Sequence, residues 1–163
     1  MNKDDKNTKH SDRAAIKLVL SVLNAHDPHA LSHAFGVARA AELIGRDMGL
    51  DADRLALLRR AALVHDIGKI GASREIMCKP GRLSPQEYEE VKKHSQVAHD
   101  ILARLPDFAD LAEIVLYHHE FFNGEGYPHG IQGEDIPLEA RILNVADAFD
   151  AMTSHRSYQP ALS

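Results

Sequence analysis

The sequence has very little cysteine, no long apolar run and no excess of positive charge. Its single cysteine, Cys78, cannot form an internal disulfide, which favours a reducing compartment and therefore the cytoplasm. No apolar run approaches the ~20 residues that cross a bilayer, and the polar start, Met1–Arg13, lacks a signal-peptide pattern. The net charge of −5 argues against binding a nucleic acid duplex, because that requires clustered lysine and arginine. The net charge is compatible with a phosphate ligand bound in a pocket.

Segments that alternate apolar and polar residues over the length of a strand are also absent, as are internal repeats. Apolar residues instead recur at the spacing of helices that bury one face. We predict helices over about 12–24, from about 31 to 49, from Asp51 or Asp53 to Gly68, from Ser84 to about 105, around 111–118, and from about Pro137. The fold class predicted is all-α: one compact bundle over residues 12–163, after a flexible polar N-terminus over residues 1–11.

Histidine is abundant, with 11 in 163 residues, and several lie at inner positions of the predicted helices. His65-Asp66 ends an apolar helix, where an unpaired aspartate would be costly to bury and metal coordination is a common solution. For this pair alone, a core histidine beside a solvated aspartate is the more common structure. His118-His119 closes another helix, and both imidazoles can serve one centre only at a helix end. For this pair alone, two surface histidines are an equal alternative.

For three further residues a metal-ligand role also has an ordinary structural alternative. Asp147 lies on the inner stripe of the last helix, where a buried salt bridge is the alternative to a metal. His94 and His33, taken singly, are more often ordinary core or interface histidines than ligands. The set is more informative, because five helices each present histidine or aspartate at one inner position. The seven candidates exceed one tetrahedral zinc and fit two metals that share a water, an arrangement used to hydrolyse phosphate esters: His33, His65, Asp66, His94, His118, His119 and Asp147.

Three segments carry a family resemblance. The stretch His65-Asp66-Ile67-Gly68-Lys69 resembles the HDxGK signature of the HD phosphohydrolases. Residues 118–128, HHEFFNGEGYP, resemble the HHExxDGxGYP stretch of the HD-GYP branch, and residues 136–153 resemble its closing segment. The resemblance covers about residues 27–160 and implies a helical HD domain with a metal centre between its helices.

The resemblance implies a metal-dependent phosphodiesterase that hydrolyses cyclic di-GMP to linear pGpG, and in some members on to GMP, with a hydroxide bridging two metals. It assigns the seven residues above as metal ligands and makes Asp66 and Lys69 catalytic. It implies that the substrate contacts Lys69, Gly126, Tyr127, Pro128 and Arg156. The metals implied are iron or manganese, with zinc, nickel, magnesium and cobalt as alternatives. From spacing alone, Lys69 is better explained by the dipole at a helix C-terminus than by a catalytic role.

The chain departs from the family pattern at several positions. His29 stands where some three-metal members have glutamate, so a third metal is a less favoured alternative. Gln159 stands where relatives frequently have lysine or arginine, and the chain stops at Ser163, so the domain is expected to be shortened at its C-terminus. Two alternatives therefore stay open: an HD phosphohydrolase acting on another nucleotide or cyclic dinucleotide, and a weakly active module that binds metal and cyclic di-GMP. A homodimer or a regulatory protein partner is equally open.

Overall fold

The computed structural model describes residues 3–77 and 79–154, with side chains described from residue 14 onward. Within these ranges the structure is helical, without a strand, which confirms the predicted fold class. The eight α-helices are α1 (Lys3–His26), α2 (Ala30–Asp47), α3 (Ala52–Val64), α4 (Arg74–Met77), α5 (Pro85–Lys92), α6 (His94–Leu102), α7 (Ala109–Leu116) and α8 (Leu138–Thr153). Three 3-10 turns join them, at Ile67–Gly71, Pro106–Phe108 and Gly133–Asp135.

Helix α2 lies at the centre of the bundle and packs against both α3 and α8, while α7 joins α3 to α6. Several of the completely buried residues on these helices are alanines, including Ala41, Ala61, Ala62 and Ala146. Because alanine projects only a methyl group, the helix axes can approach closely, and larger side chains such as Phe108 fill the remaining space. The close approach brings the helix ends together on one side of the core.

The predicted start signals are confirmed where the structure describes them. Asp51 is the N-cap of α3 and accepts a hydrogen bond from the Arg54 amide at 2.9 Å. Ser84 and Glu87 form the predicted capping box at the start of α5. The hydrogen bond from the Lys79 ammonium lowers the pKa of Glu87 to about 2, so this carboxylate is ionised at every physiological pH.

Helix boundaries differ from the prediction in three places. Helix α1 begins at Lys3 rather than near Asp12. The prediction missed its first turns because their polar sequence has no apolar residues at helical spacing. The helix predicted from Ser84 to about 105 is two helices, α5 and α6, which break at Lys93. Helix α3 ends at Val64, and the chain tightens into the 3-10 turn Ile67–Gly71 instead of continuing to Gly68. None of the described helices combines the length and the apolar character needed to cross a membrane.

Candidate metal centre

The structure brings all seven predicted ligands into one cluster at the helix ends. His33 lies in α2, His65 caps the end of α3 and Asp66 follows it. His94 begins α6, His118 and His119 follow α7, and Asp147 lies in α8. Two groups of three have their ligand atoms within 4.8 Å of one another: His33 with His65 and Asp66, and His94 with His118 and His119. We call them the first triad and the second triad.

Asp66 belongs to the first triad and also faces the second. Its Oδ2 is 3.5 Å from His65 Nε2 and 3.7 Å from His33 Nε2, while its Oδ1 is 4.0 Å from His94 Nε2. Asp147 adds a second carboxylate beside the first triad, with Oδ1 at 3.0 Å from His33 Nε2. A single carboxylate therefore faces both triads, as a bridging ligand would.

Three of the histidines share one local arrangement, in which Nδ1 lies against a carbonyl oxygen three residues earlier. A carbonyl oxygen only accepts, so Nδ1 carries the proton and Nε2 keeps its lone pair. Each Nε2 is buried and has no hydrogen-bond partner within the described residues. An unpaired buried polar atom costs ~1–3 kcal/mol, so three converging lone pairs fit a bound cation. The Nδ1–oxygen distances are 2.8 Å from His65 to Ala62, 2.7 Å from His94 to Val91 and 2.6 Å from His118 to Val115.

The protonation states of the second triad and of Asp66 also suit metal binding. Burial lowers the pKa of His94 and of His118, and it lowers the pKa of His119 to about 3, with repulsion from His94 adding to the effect. These imidazoles are therefore neutral at physiological pH, as metal ligands must be. Burial opposes ionisation of Asp66, but His65 and Lys69 hold its pKa well below the ordinary range, and Lys69 Nζ lies 2.6 Å from Asp66 Oδ2.

Gly68 brings α6 against the turn that carries Asp66. A Cβ atom at Gly68 would lie 1.9 Å from the carbonyl oxygen of His94 and 2.6 Å from the amide nitrogen of Ala98. The backbone of the turn therefore rests directly on the backbone of α6, which leaves no room for a side chain. This contact places His94 beside Asp66 and so joins the second triad to the first.

The segment after α7 folds back over the second triad. The Tyr127 amide donates to the His119 carbonyl oxygen at 3.1 Å, and the Tyr127 ring lies over the His119 imidazole with centroids 4.8 Å apart. A Cβ atom at Gly126 would lie 2.3 Å from the Phe121 amide nitrogen, so the chain can pass here only as glycine. Gly126, Tyr127 and the adjoining Pro128 are half-buried and cover this side of the centre.

Glu120 holds this segment in place, and the sequence analysis did not identify its role. Its side chain is buried, and Oε1 accepts from the amides of His129 at 2.6 Å and of Gly130 at 3.0 Å. The only signal in the sequence was its place directly after His118-His119. A buried carboxylate that accepts hydrogen bonds from two loop amides stabilises the conformation of that loop.

We expect Glu120→Ala to loosen the segment over the second triad, because the two amides lose a charged acceptor. Hydrogen bonds to charged groups contribute ~1.5–3 kcal/mol each, so losing both should lower the unfolding free energy by about 3–6 kcal/mol. Thermal unfolding and amide hydrogen exchange at His129 and Gly130 measure the effect. Glu120→Gln keeps an acceptor oxygen and should lose less than half as much. Equal losses in the two variants would contradict a hydrogen-bonding role.

The open side of the centre is a cavity of about 140 Å³. His33, Asp66 and Lys69 form its inner end, and its walls include His26 and Asp27 at the end of α1, His29, Ser32, Met77 and Ser154. His29 thus lies in the cavity wall and in neither triad. Arg156 and Gln159, like Cys78, lie outside the described residues, so the predicted phosphate contact of Arg156 stays a prediction.

A helical bundle that gathers histidines and aspartates from separate helices around one point defines the class of helical domains whose side chains could hold a metal ion. The chain belongs to the HD domain family, whose model matches residues 17–163, and the predicted family resemblance is confirmed. It is 42% identical over 142 residues to the 3'3'-cGAMP-specific phosphodiesterase 3 of Vibrio cholerae, covering 86% of this chain and 31% of that protein. It is 40% identical over 147 residues to a cyclic di-GMP phosphodiesterase of Thermotoga maritima, covering 86% and 40%. The chain thus spans about a third of the length of these curated relatives.

Solved structures agree with the fold. The HDG"Y"P protein Bd1817 of Bdellovibrio bacteriovorus superimposes with a TM-score of 0.64 at 22% identity, covering 90% of this chain and 52% of that one. The HD domain of the phosphodiesterase PgpH of L. monocytogenes superimposes with a TM-score of 0.59 at 19% identity, covering 85% and 76%. At these identities the likeness shows the HD-domain fold.

Proposed function

We propose that this domain is a metal-dependent phosphodiesterase that hydrolyses cyclic di-GMP to pGpG. The observation that carries the proposal is the set of three buried Nε2 lone pairs, in two triads joined by one carboxylate. The names of the relatives supply the substrate class, a cyclic dinucleotide. A 3'3'-cGAMP substrate is the second candidate, because the relative that is 42% identical is named for it.

In this proposal His33, His65, Asp66 and Asp147 hold one divalent ion, and His94, His118 and His119 hold a second, with Asp66 between them. Iron and manganese are the proposed metals, since imidazole and carboxylate ligands suit both. Zinc, nickel, magnesium and cobalt share part of this ligand preference. When bound, such a pair supplies Lewis-acid activation of water and of a phosphoryl oxygen.

The chain's own residues bind and orient the phosphodiester. The Lys69 side chain is a quarter exposed and lines the cavity, so its ammonium meets a phosphate that enters there. Its pairing with Asp66 fixes where that positive charge lies. Tyr127 packs over His119 beside the second triad, and in this proposal Gly126, Tyr127 and Pro128 contact the substrate there.

The proposed function is tested by incubating the protein, loaded with Mn²⁺ or anaerobically with Fe²⁺, with cyclic di-GMP and with 3'3'-cGAMP. Chromatography resolves pGpG, GMP and the linear form of the mixed dinucleotide, and elemental analysis confirms metal occupancy. We expect pGpG from cyclic di-GMP. Faster cleavage of 3'3'-cGAMP would favour the second candidate. Tight cyclic di-GMP binding by calorimetry without product from a fully loaded protein would contradict the enzyme and favour a signalling module.

The route through the cavity predicts the effect of filling it. Ser32 is exposed at the cavity wall and belongs to neither triad, so Ser32→Trp should obstruct the substrate without removing metal. We expect KM to rise at least about tenfold, which corresponds to ~1.4 kcal/mol of lost binding. Steady-state kinetics and elemental analysis measure the two effects.

Ser21→Trp is the matched control, because Ser21 is an exposed serine on α1 outside the cavity wall. This variant should keep the KM of the parent protein. A Ser32→Trp variant with the parent KM and full metal content would rule out substrate entry by this route.

A further inference from the structure

His33 differs from the three histidines whose Nδ1 atoms face the backbone. Its Nδ1 lies 2.7 Å from Oδ2 of Asp150, a buried carboxylate one turn beyond Asp147 on α8. The ring of His33 is therefore held between two aspartates, with Asp147 at Nε2 and Asp150 at Nδ1. Asp147 lies on the Nε2 side of the imidazole, whereas Asp150 lies on its Nδ1 side and lines the cavity.

We propose that Asp150 is the positioning residue of the first metal site and acts on it through His33. The inference rests on the proposed function only in requiring that the two triads bind metal. A carboxylate at Nδ1 keeps the proton on that nitrogen, so Nε2 presents its lone pair to the ion. The negative charge behind the ring also makes Nε2 a stronger donor than a backbone carbonyl does.

Asp150 is itself held in place from two sides. The Ser154 hydroxyl donates to Oδ1 at 3.0 Å from the end of the same helix. On the facing helix, a Cβ atom at Gly36 would lie 1.9 Å from the same oxygen. Glycine in a helix interior is unfavourable compared with alanine. The space that the Asp150 carboxylate occupies explains why residue 36 has no side chain.

The arrangement makes the two metal sites unequal. The first triad contains the Asp66 carboxylate and has two more carboxylates against His33, from Asp147 and Asp150. The second triad consists of three imidazoles, and the Nδ1 atoms of His94 and His118 face backbone carbonyls that no side-chain change can remove. Changing Asp150 should therefore weaken one metal site and leave the other unchanged.

The test titrates metal-free protein with Mn²⁺ by calorimetry, without nucleotide, and counts bound metal by elemental analysis. The unchanged protein should bind two ions. In Asp150→Ala we expect the affinity of one site to fall about 10–100-fold, the usual effect of removing a carboxylate behind a histidine ligand, while the other stays within about twofold. Asp150→Asn keeps an oxygen for the Nδ1 proton and loses the charge. Its affinity for Mn²⁺ at the first site should lie between those of the parent protein and of Asp150→Ala. Histidine ¹⁵N NMR of the protein loaded with Zn²⁺ should show a proton on His33 Nδ1 that exchanges slowly with water, and that proton should exchange faster in Asp150→Ala.

A second pair of variants separates positioning from folding. Gly36→Ala should lower both the melting temperature and the affinity of the first site, because its methyl group displaces the Asp150 carboxylate. Adding Asp150→Ala removes the clash, so the melting temperature should recover while the affinity stays low. Recovery of the affinity together with the melting temperature would overturn the proposal.

Other outcomes distinguish this inference from the proposed function. If Asp150→Ala leaves both affinities unchanged, or lowers both equally, the positioning role is wrong and the proposed function stands. If the protein binds two ions and Asp150→Ala weakens one, yet cyclic di-GMP is not cleaved, the inference stands and the proposed function fails. If the parent protein binds no metal, both are wrong.

Discussion

Asp66→Ala is expected to remove both the bound metal and the turnover of cyclic di-GMP. The Asp66 carboxylate belongs to the first triad and faces His94 of the second, so its loss takes a proposed ligand from each site. Metal ions supply several kcal/mol of transition-state stabilisation, and each 1.36 kcal/mol is tenfold in rate. We therefore expect turnover to fall at least about a thousandfold. Elemental analysis of the purified variant and a product assay at saturating Mn²⁺ measure the two losses.

Asp47→Ala is the matched control for this variant, because Asp47 is an exposed aspartate at the end of α2, away from both triads. It should retain two ions and full turnover. Circular dichroism on both variants checks that the helices remain. An Asp66→Ala protein with the parent metal content and rate would show that the bridging position is not the site of the chemistry.

Gly68→Ala is expected to disrupt the centre without touching a ligand. Its methyl group would lie 1.9 Å from the His94 carbonyl oxygen, and that atom belongs to backbone that cannot rotate away. The 3-10 turn and α6 must therefore separate, which carries His94 away from Asp66. Overpacking costs ~1–3 kcal/mol and occasionally more, and a clash between backbones lies at the upper end. We expect a loss of about 3 kcal/mol in unfolding free energy, together with loss of metal from the second triad.

Gly71→Ala provides a control within the same turn and against the same helix. A Cβ atom at Gly71 would meet Val97 Cγ1 at 3.4 Å, which is ordinary van der Waals contact. Denaturant unfolding should show little change for this variant, and its metal content should stay at that of the parent. Similar losses in both variants would mean that helix α6 tolerates no change in this turn, and the specific backbone contact of Gly68 would not explain the effect.

The two proposed metal sites differ in negative charge, and this difference should decide the order in which they bind metal. Carboxylates surround the first triad, while burial keeps the imidazoles of the second triad neutral. Divalent ions are attracted more strongly to the site with greater negative charge, since ion–charge interaction is strong where water is excluded. On this basis the first site should fill before the second during titration. The order is measured in the same calorimetry that tests Asp150.

Much of the fold and the ligand chemistry was accessible from the order of residues alone. Apolar spacing in α2 and α8 predicts helices, and the capping box at Ser84 and Glu87 predicts where α5 begins, because these interactions are formed between neighbours in the chain. The types and spacing of the histidines and aspartates predict a cluster of metal-binding groups, since few other uses bring so many to inner helix positions. The phosphate contact of Arg156, the flexibility of residues 1–11 and the cytoplasmic location stay predictions.

Only the tertiary structure decided how these residues divide and what supports them. His33 and Asp150 are 117 positions apart and meet because α2 and α8 pack together around Gly36. The same holds for Asp66 facing both triads and for the Glu120 tie to the loop amides. Residue type and local spacing determine helices and caps through contacts within a few residues. Which lone pair faces which neighbour depends on helix packing, because a shift of a single ångström between helices makes or breaks a hydrogen bond.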